Sequence, residues 1–196
     1  MFRLPLSIAV VLVIAFAGAA ASAVYALKAT VGFGSIEIGA WQAWPVAHTR
    51  NADPYAKAHR ARAGKVLLAG AEGLVFVADN DDAGQRLRGN CSYVVGGKTP
   101  PARFWSLHMT DTEDRLYSVD GPFPYAFHSH EVSRDSDGLF AIALGRSPSA
   151  GNWMALDGTP QHFRLILTLF DTPTAGSTRL EELEMPKIDR QDCDDA

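Results

Sequence analysis

The chain has 196 residues, 47% of them hydrophobic, and a formal net charge of −4, which fits one domain of ordinary size with short additions. Leu4 to Leu27 contains no charged residue, so the body that follows is more polar and more acidic than the average suggests. An acidic body gains nothing from counterion release on phosphates, which argues against a nucleic-acid partner and, on net charge, against peripheral binding to anionic lipid.

The first element is apolar. Arg3 and the amino terminus precede a run from Leu6 to Phe16 that fades into small residues around Ala19 to Ala23. Those small residues suit a signal-peptide cleavage site, at Ala19-Ala20-Ala21 or Ala21-Ser22-Ala23. Leu4 to Leu27 is also long enough to cross a bilayer, and Tyr25 suits a membrane interface. The continued apolar run past the cleavage sites favours an anchor through residues 4–27. In either case the early positive charge places residues 29–196 outside the cytoplasm. The sequence therefore predicts an inner-membrane protein with its domain on the periplasmic side, the alternative being secretion to the periplasm after cleavage.

Residues 29–52 read as a linker broken by Gly32, Gly34 and Gly39, with Ile36, Ile38, Trp41 and Trp44 able to dock. A short helix is expected next. Asp53 can cap it, Pro54 fits its first turn, Tyr55 to Ala63 supports it and Gly64 supplies a left-handed exit. After Gly64 the pattern becomes short β-type runs separated by turn residues. Gly73 to Asp79 leads into a turn at Asn80 to Gly84, and Cys91 to Val95 is expected to pair back across it. Pro100 and Pro101 end that hairpin. Arg103 to Asp111, Tyr125 to Val132, Leu139 to Leu144 and His162 to Phe170 supply further strands, with a turn at Arg134 to Gly138. In the last strand Phe163, Leu165, Leu167 and Leu169 alternate with His162, Arg164, Ile166 and Thr168. The expected class is mainly β: a β-sandwich or jelly-roll-like domain over residues 53–175, with one short N-terminal helix, after a signal or transmembrane helix in residues 1–28.

Two cysteines in an exported chain can pair, and a Cys91–Cys193 bond would tie the polar tail of residues 176–196 back to the domain. Closing a loop of roughly 100 residues contributes about 4–5 kcal/mol on the chain-entropy model.

The ordered set Ala52-Asp-Pro-Tyr55, Ala71-Glu-Gly73, Cys91-Ser-Tyr93, Pro100-Pro-Ala-Arg-Phe-Trp-Ser106, Gly151-Asn-Trp153 and Phe163 to Asp171 resembles the bacterial "domain of unknown function 1214" family over roughly residues 50–172. The resemblance implies an all-β, jelly-roll-like domain that in larger relatives follows a companion domain. It implies no reaction and no catalytic residues.

His128-Ser-His130 is the sharpest local motif. Residues two apart on a strand share a face, so both imidazoles could hold one metal, assisted by Glu131 or His108. A cupin-type site would need a further carboxylate, but position 134 is arginine, and His162 stands without a supporting motif. Two polar groups on an exposed strand face explain the same letters. Asp79 to Gly84 resembles the start of a calcium loop, but Asn90 occupies the position of the bidentate glutamate, and a hairpin turn suffices. Glu72, in the apolar stretch Val66 to Val77, is a candidate acid or base alongside His108, or else a semi-buried acceptor at a turn. Arg103 and Trp105 are candidate binding residues for a carboxylate or sugar, or else partners in local stacking. No nucleophile elbow, phosphate-binding glycine loop, His-Glu-x-x-His or Cys-x-x-Cys is present.

The sequence thus favours a non-enzymatic envelope binding or assembly module without a cofactor, its partner a carbohydrate or an envelope protein. The alternative is a metal-dependent enzyme using His128 and His130.

Overall fold

The computed structural model of the chain describes residues 3–29, 34–47, 49, 52–64, 68, 72–116, 123–156, 158, 161–173 and 182–194. Helix α1 spans Arg3–Ala29. At 1.5 Å per residue it is roughly 40 Å long, more than the ~30 Å of a bilayer's hydrocarbon. Its side chains are exposed all round, apart from the partly covered Ala26 and Leu27. Helix α2, Pro54–Ala63, lies against α1. Its ends form as the sequence predicts: Asp53 Oδ1 accepts the Tyr55 N–H at 2.8 Å, and Gly64 closes the helix at φ 64°.

The strands form two sheets. The six-stranded sheet runs β1 (Ile36–Ile38), β2 (Trp41–Ala43), β3 (Gly73–Ala78), β9 (Arg164–Phe170), β5 (Phe104–Thr110) and β6 (Ala126–His128), all antiparallel. The four-stranded sheet runs β10 (Lys187–Cys193), β4 (Cys91–Gly97), β7 (Phe140–Gly145) and β8 (Asn152–Ala155), with β7 and β8 parallel.

Strand alternation builds the core between them. Leu74, Phe76, Trp105, Leu107, Met109, Leu165, Leu167 and Leu169 point inward from one sheet; Tyr93, Val95, Ile142, Leu144 and Ile188 point inward from the other. Trp105 meets Phe140 at 5.2 Å between ring centres, joining the two layers. Each large side chain buried here contributes roughly 1.5–3 kcal/mol, so this alternation is the main reason the layers close.

Three expectations need correction. First, β3 and β4 do not form a hairpin. β3 pairs with β2 and β9, whereas β4 crosses to the other sheet between β10 and β7. Both strands bury one apolar face, and separate sheets let those faces oppose each other across the core. Second, the stretch 29–52 is more than a linker: β1 and β2 extend the larger sheet, so the domain's first strand precedes residue 53. Trp41 anchors that hairpin, fully buried, with its indole N–H donating to the Pro186 carbonyl at 2.6 Å. Third, the strand expected over Tyr125 to Val132 ends at His128, where backbone bonds from Glu131 and Val132 to the His128 carbonyl turn the chain. The tail likewise contributes an edge strand, β10, joined to β4 by the Cys91–Cys193 disulfide. Val66, Leu67 and residues 176–181 lie outside the described residues.

One turn design serves three connections. Asp81, Asp111 and Asp135 each accept, through Oδ1, the N–H groups two and four residues on. The fourth residue of each turn, Gly84, Asp114 or Gly138, has positive φ. A short carboxylate that satisfies turn amides and a left-handed fourth position are what this geometry requires.

Candidate functional site

The outer face of the six-stranded sheet gathers most of the chemistry. Because β9 is central, its outward residues Ile166 and Thr168 are 8% and 7% exposed, flanked by β3 and β5. Phe104, Ser106 and His108 line the same face from β5, and His128 adds to it from β6. Phe104 is the hub. Its ring lies 5.4 Å from His128, 5.5 Å from His130 and 5.7 Å from Phe170.

The β5–β6 register explains how both histidines arrive there. Ser106 faces His128, and Ser129 remains tied to Trp105, its N–H donating to the Trp105 carbonyl at 2.9 Å. One step further along the same period, His130 comes beside Phe104, although β6 has already ended. The expected shared face is therefore reached through a turn.

His128 Nδ1 is buried and makes no hydrogen bond among the described residues, and neither does Thr110 Oγ1. Buried polar atoms without partners are uncommon in folded proteins. His108 sits close enough to feel His128. Burial lowers the His108 pKa from its ordinary value, and the neighbouring imidazolium lowers it further. The face therefore favours neutral imidazole at His108, which can ligate or accept hydrogen bonds.

The other candidates do not converge here. Glu72 is exposed just before β3 and is not enclosed by apolar residues. Arg103 is exposed and pairs with Asp171 at 3.5 Å. Trp105 is 2% exposed on the opposite, core-facing side of β5, so it cannot offer a binding surface. His162 is six residues from Thr168, about 20 Å along the sheet, with its Nδ1 3.4 Å from the Leu87 carbonyl. A cupin-like set joining it to His128 is thereby ruled out by geometry. Among the described residues no group of three His, Cys, Asp or Glu side chains is placed to hold a metal ion.

A second polar region lies beyond the far end of β3. A cleft of about 210 Å³ is lined by Glu37, Trp41, Gln42 and Asp79 to Asp82. Its acids already have partners. Arg164 pairs with Asp79 at 2.6 Å and Asp114 at 3.1 Å. Burial alone would lower the Arg164 pKa, but the Asp79 hydrogen bond and both acidic charges outweigh it and keep the guanidinium charged. Arg190 Nε lies 2.9 Å from Asp81 Oδ2, an ion pair out of hydrogen-bond alignment. Asp82 accepts the Ile188 N–H at 2.5 Å. These carboxylates brace turns and β10, which explains the calcium-like letters structurally.

Phe104, Phe170, Ile166, Thr168 and Thr110 were not foreseeable as parts of one site. Alternation in β5 and β9 assigns each a face, but only the pairing of these distant strands brings the faces together.

The family model described as protein of unknown function (DUF1214) matches residues 72–174, just over half of the chain. The chain belongs to the DUF1214 family. The match contains both the histidine-bearing face and the acid-lined turn. No functionally curated protein matches the chain. The chain is similar to the crystal structure of the VPA0106 protein from Vibrio parahaemolyticus, with a TM-score of 0.58 and 22% identity over 72% of this chain and 36% of that one. An uncharacterized protein from Burkholderia cenocepacia aligns with a TM-score of 0.42 and 18% identity, covering 76% of this chain and 47% of that one. The chain thus spans between a third and a half of the length of these structures, and the Vibrio likeness supports the fold alone.

Proposed function

We propose that this DUF1214 protein is a non-enzymatic binding or assembly module of the cell envelope, held at the outer side of the inner membrane by α1. The disulfide fits an oxidising compartment, and the length and composition of α1 fit a span. The contact surface is the outer face around Phe104. The observation that carries this reading is the cluster of half-buried and exposed rings on one sheet face, Phe104 lying against His128, His130 and Phe170. A bound protein would cover and stack on these rings. A protein partner suits this surface better than a carbohydrate, because Trp41, Trp105 and Trp153 are all buried.

Site-specific photocrosslinking in intact cells tests this. A photoreactive residue at Phe170 should capture a protein partner, one at Ala141 on the other sheet should not, and His128→Ala should weaken capture from position 170. Equal capture from both faces, or none from position 170, would overturn the assignment.

One observation favours a second reading, a metal-dependent enzyme: the imidazoles of His128 and His130 meet the same ring. Metal analysis of protein isolated without chelator decides it. Near-stoichiometric metal that is lost from a His128→Ala/His130→Ala variant would favour the enzyme; a metal-free protein would retire it.

A further inference from the structure

The net charge of the chain conceals a strong asymmetry. Residues 1–65 hold seven of the 18 Lys and Arg residues but only two of the 22 acids, Glu37 and Asp53. The ten residues of α2 include Lys57, Arg60 and Arg62 and no acid. This basic helix lies against α1, whose only covered residues, Ala26 and Leu27, belong to its last turns. The chain leaves α1, builds β1 and β2, and returns to this point, with the Arg60 guanidinium donating to the Ala47 carbonyl at 3.4 Å. Tyr25 on α1 and Tyr55 on α2 are both exposed, at 75% and 43%.

We infer that α2 is a headgroup contact: a basic helix that rests on an anionic lipid surface beside the exit of the span. The inference depends on α1 remaining as an anchor. Given that anchor, the end of α1 marks the membrane surface, and the helix against it lies at headgroup depth. Lys57 and Arg62, both exposed, offer charge there. Tyrosines are favoured at that depth, where an apolar ring and a polar tip can both be satisfied. Residues beyond 65 carry twenty acids against eleven basic residues, so the same lipid charge repels any part of the rest of the domain that tilts to within about 10 Å of it. Attraction at α2 and repulsion beyond it would hold the sandwich in one orientation, with the Phe104 face available to a partner. Net charge argues against lipid binding, but the local distribution reverses that conclusion, because screening confines each interaction to about 10 Å. The α2 charges also begin too far from the span to govern its insertion orientation.

The test uses the full chain reconstituted into vesicles of phosphatidylcholine, or of phosphatidylcholine mixed with phosphatidylglycerol. Flotation on a density gradient reports the anchor, and amide hydrogen exchange across Tyr55 to Gly64 reports the headgroup contact. The chain should float with both vesicles, whereas α2 exchange should slow at least about fivefold on the anionic ones, as roughly 1 kcal/mol per basic group implies. High salt should remove the effect, and so should Lys57→Gln/Arg62→Gln, which keeps the Arg60 bond; exchange in β5 and β9 should not change. Flotation with equal α2 exchange on both lipids would overturn the headgroup contact and leave the anchor standing. Failure to float on either vesicle would overturn both. Protection of α2 by DNA or an acidic protein, with none by anionic lipid, would overturn it in favour of a macromolecular partner.

Discussion

On the outside of the four-stranded sheet, Ser92, Val94 and Gly96 face Gly145, Ala143 and Ala141, and Trp153 lies over Ala143. On the outside of the six-stranded sheet, the corresponding places hold Phe104, Ser106, His108, Ile166, Thr168 and Phe170. The inner faces obey one rule, large apolar residues on every second position. The outer faces have no packing requirement in common, yet one is small and flat while the other is bulky, aromatic and titratable. Small residues let a sheet face be finished by its own backbone and a single indole. Bulky aromatic residues left half-buried or exposed make a face that a second molecule could cover. The difference is what singles out the Phe104 surface.

The largest test concerns how the plain sheet is held. Its edge strand β10 depends on the disulfide and on Arg190, so Cys91→Ser/Cys193→Ser should cost about 2–5 kcal/mol in thermal unfolding. A loss below about 1 kcal/mol would show that the β4 ladder suffices. Asp81→Ala comes next. It leaves the largely buried Arg190 charge without its acid and should cost about 3 kcal/mol by denaturant titration, with a smaller cost for Asp81→Leu/Arg190→Met. Gly96→Ala probes the flat face itself. The added Cβ would come within 3.0 Å of the Phe140 carbonyl oxygen, for an expected cost of about 1 kcal/mol.

On the other face the expected sign changes. Thr110→Val removes a buried hydroxyl that makes no hydrogen bond among the described residues, so stability should stay within about 0.5 kcal/mol or rise. If the variant is destabilised as much as Gly96→Ala, the hydroxyl has a partner and the contrast between faces is broken.

The pH dependence separates a face from a turn. Burial, then the His128 charge, holds the folded His108 pKa below its ordinary value, so the unfolded chain takes up that proton first as pH falls. The His108 contribution is complete above about pH 6.5 and declines as pH falls toward the folded pKa. His108→Gln should flatten this slope in the unfolding free energy. Asp111 acts in a lower window. Hydrogen bonds from the Arg115 and then the Glu113 backbone depress its pKa, so its support is present above about pH 3.9 and is lost only as pH falls through the folded value. Asp111→Asn should leave the curve near neutrality unchanged.

The sequence by itself determined what depends on neighbouring residues. The apolar length of α1, the Asp53 and Gly64 caps of α2, the alternation of β9 and the carboxylate turns at Asp81 and Asp135 all follow from local sterics, hydrogen bonding and side-chain period. The third such turn, at Asp111, uses aspartate at its left-handed position where the other two have glycine, and so carries no glycine signal. Strand pairing was beyond local reasoning. Whether Cys91 to Val95 pairs with Gly73 to Asp79 or crosses to the other sheet depends on which apolar faces meet across the core, and many pairings bury comparable area. The His-Ser-His motif was legible as a shared strand face, but its surroundings were not. Phe104 and Phe170 come from strands about sixty residues apart in the chain. Only the closure of the sandwich places their rings against those imidazoles, leaves His128 Nδ1 without a partner among the described residues, and turns Trp105 away into the core.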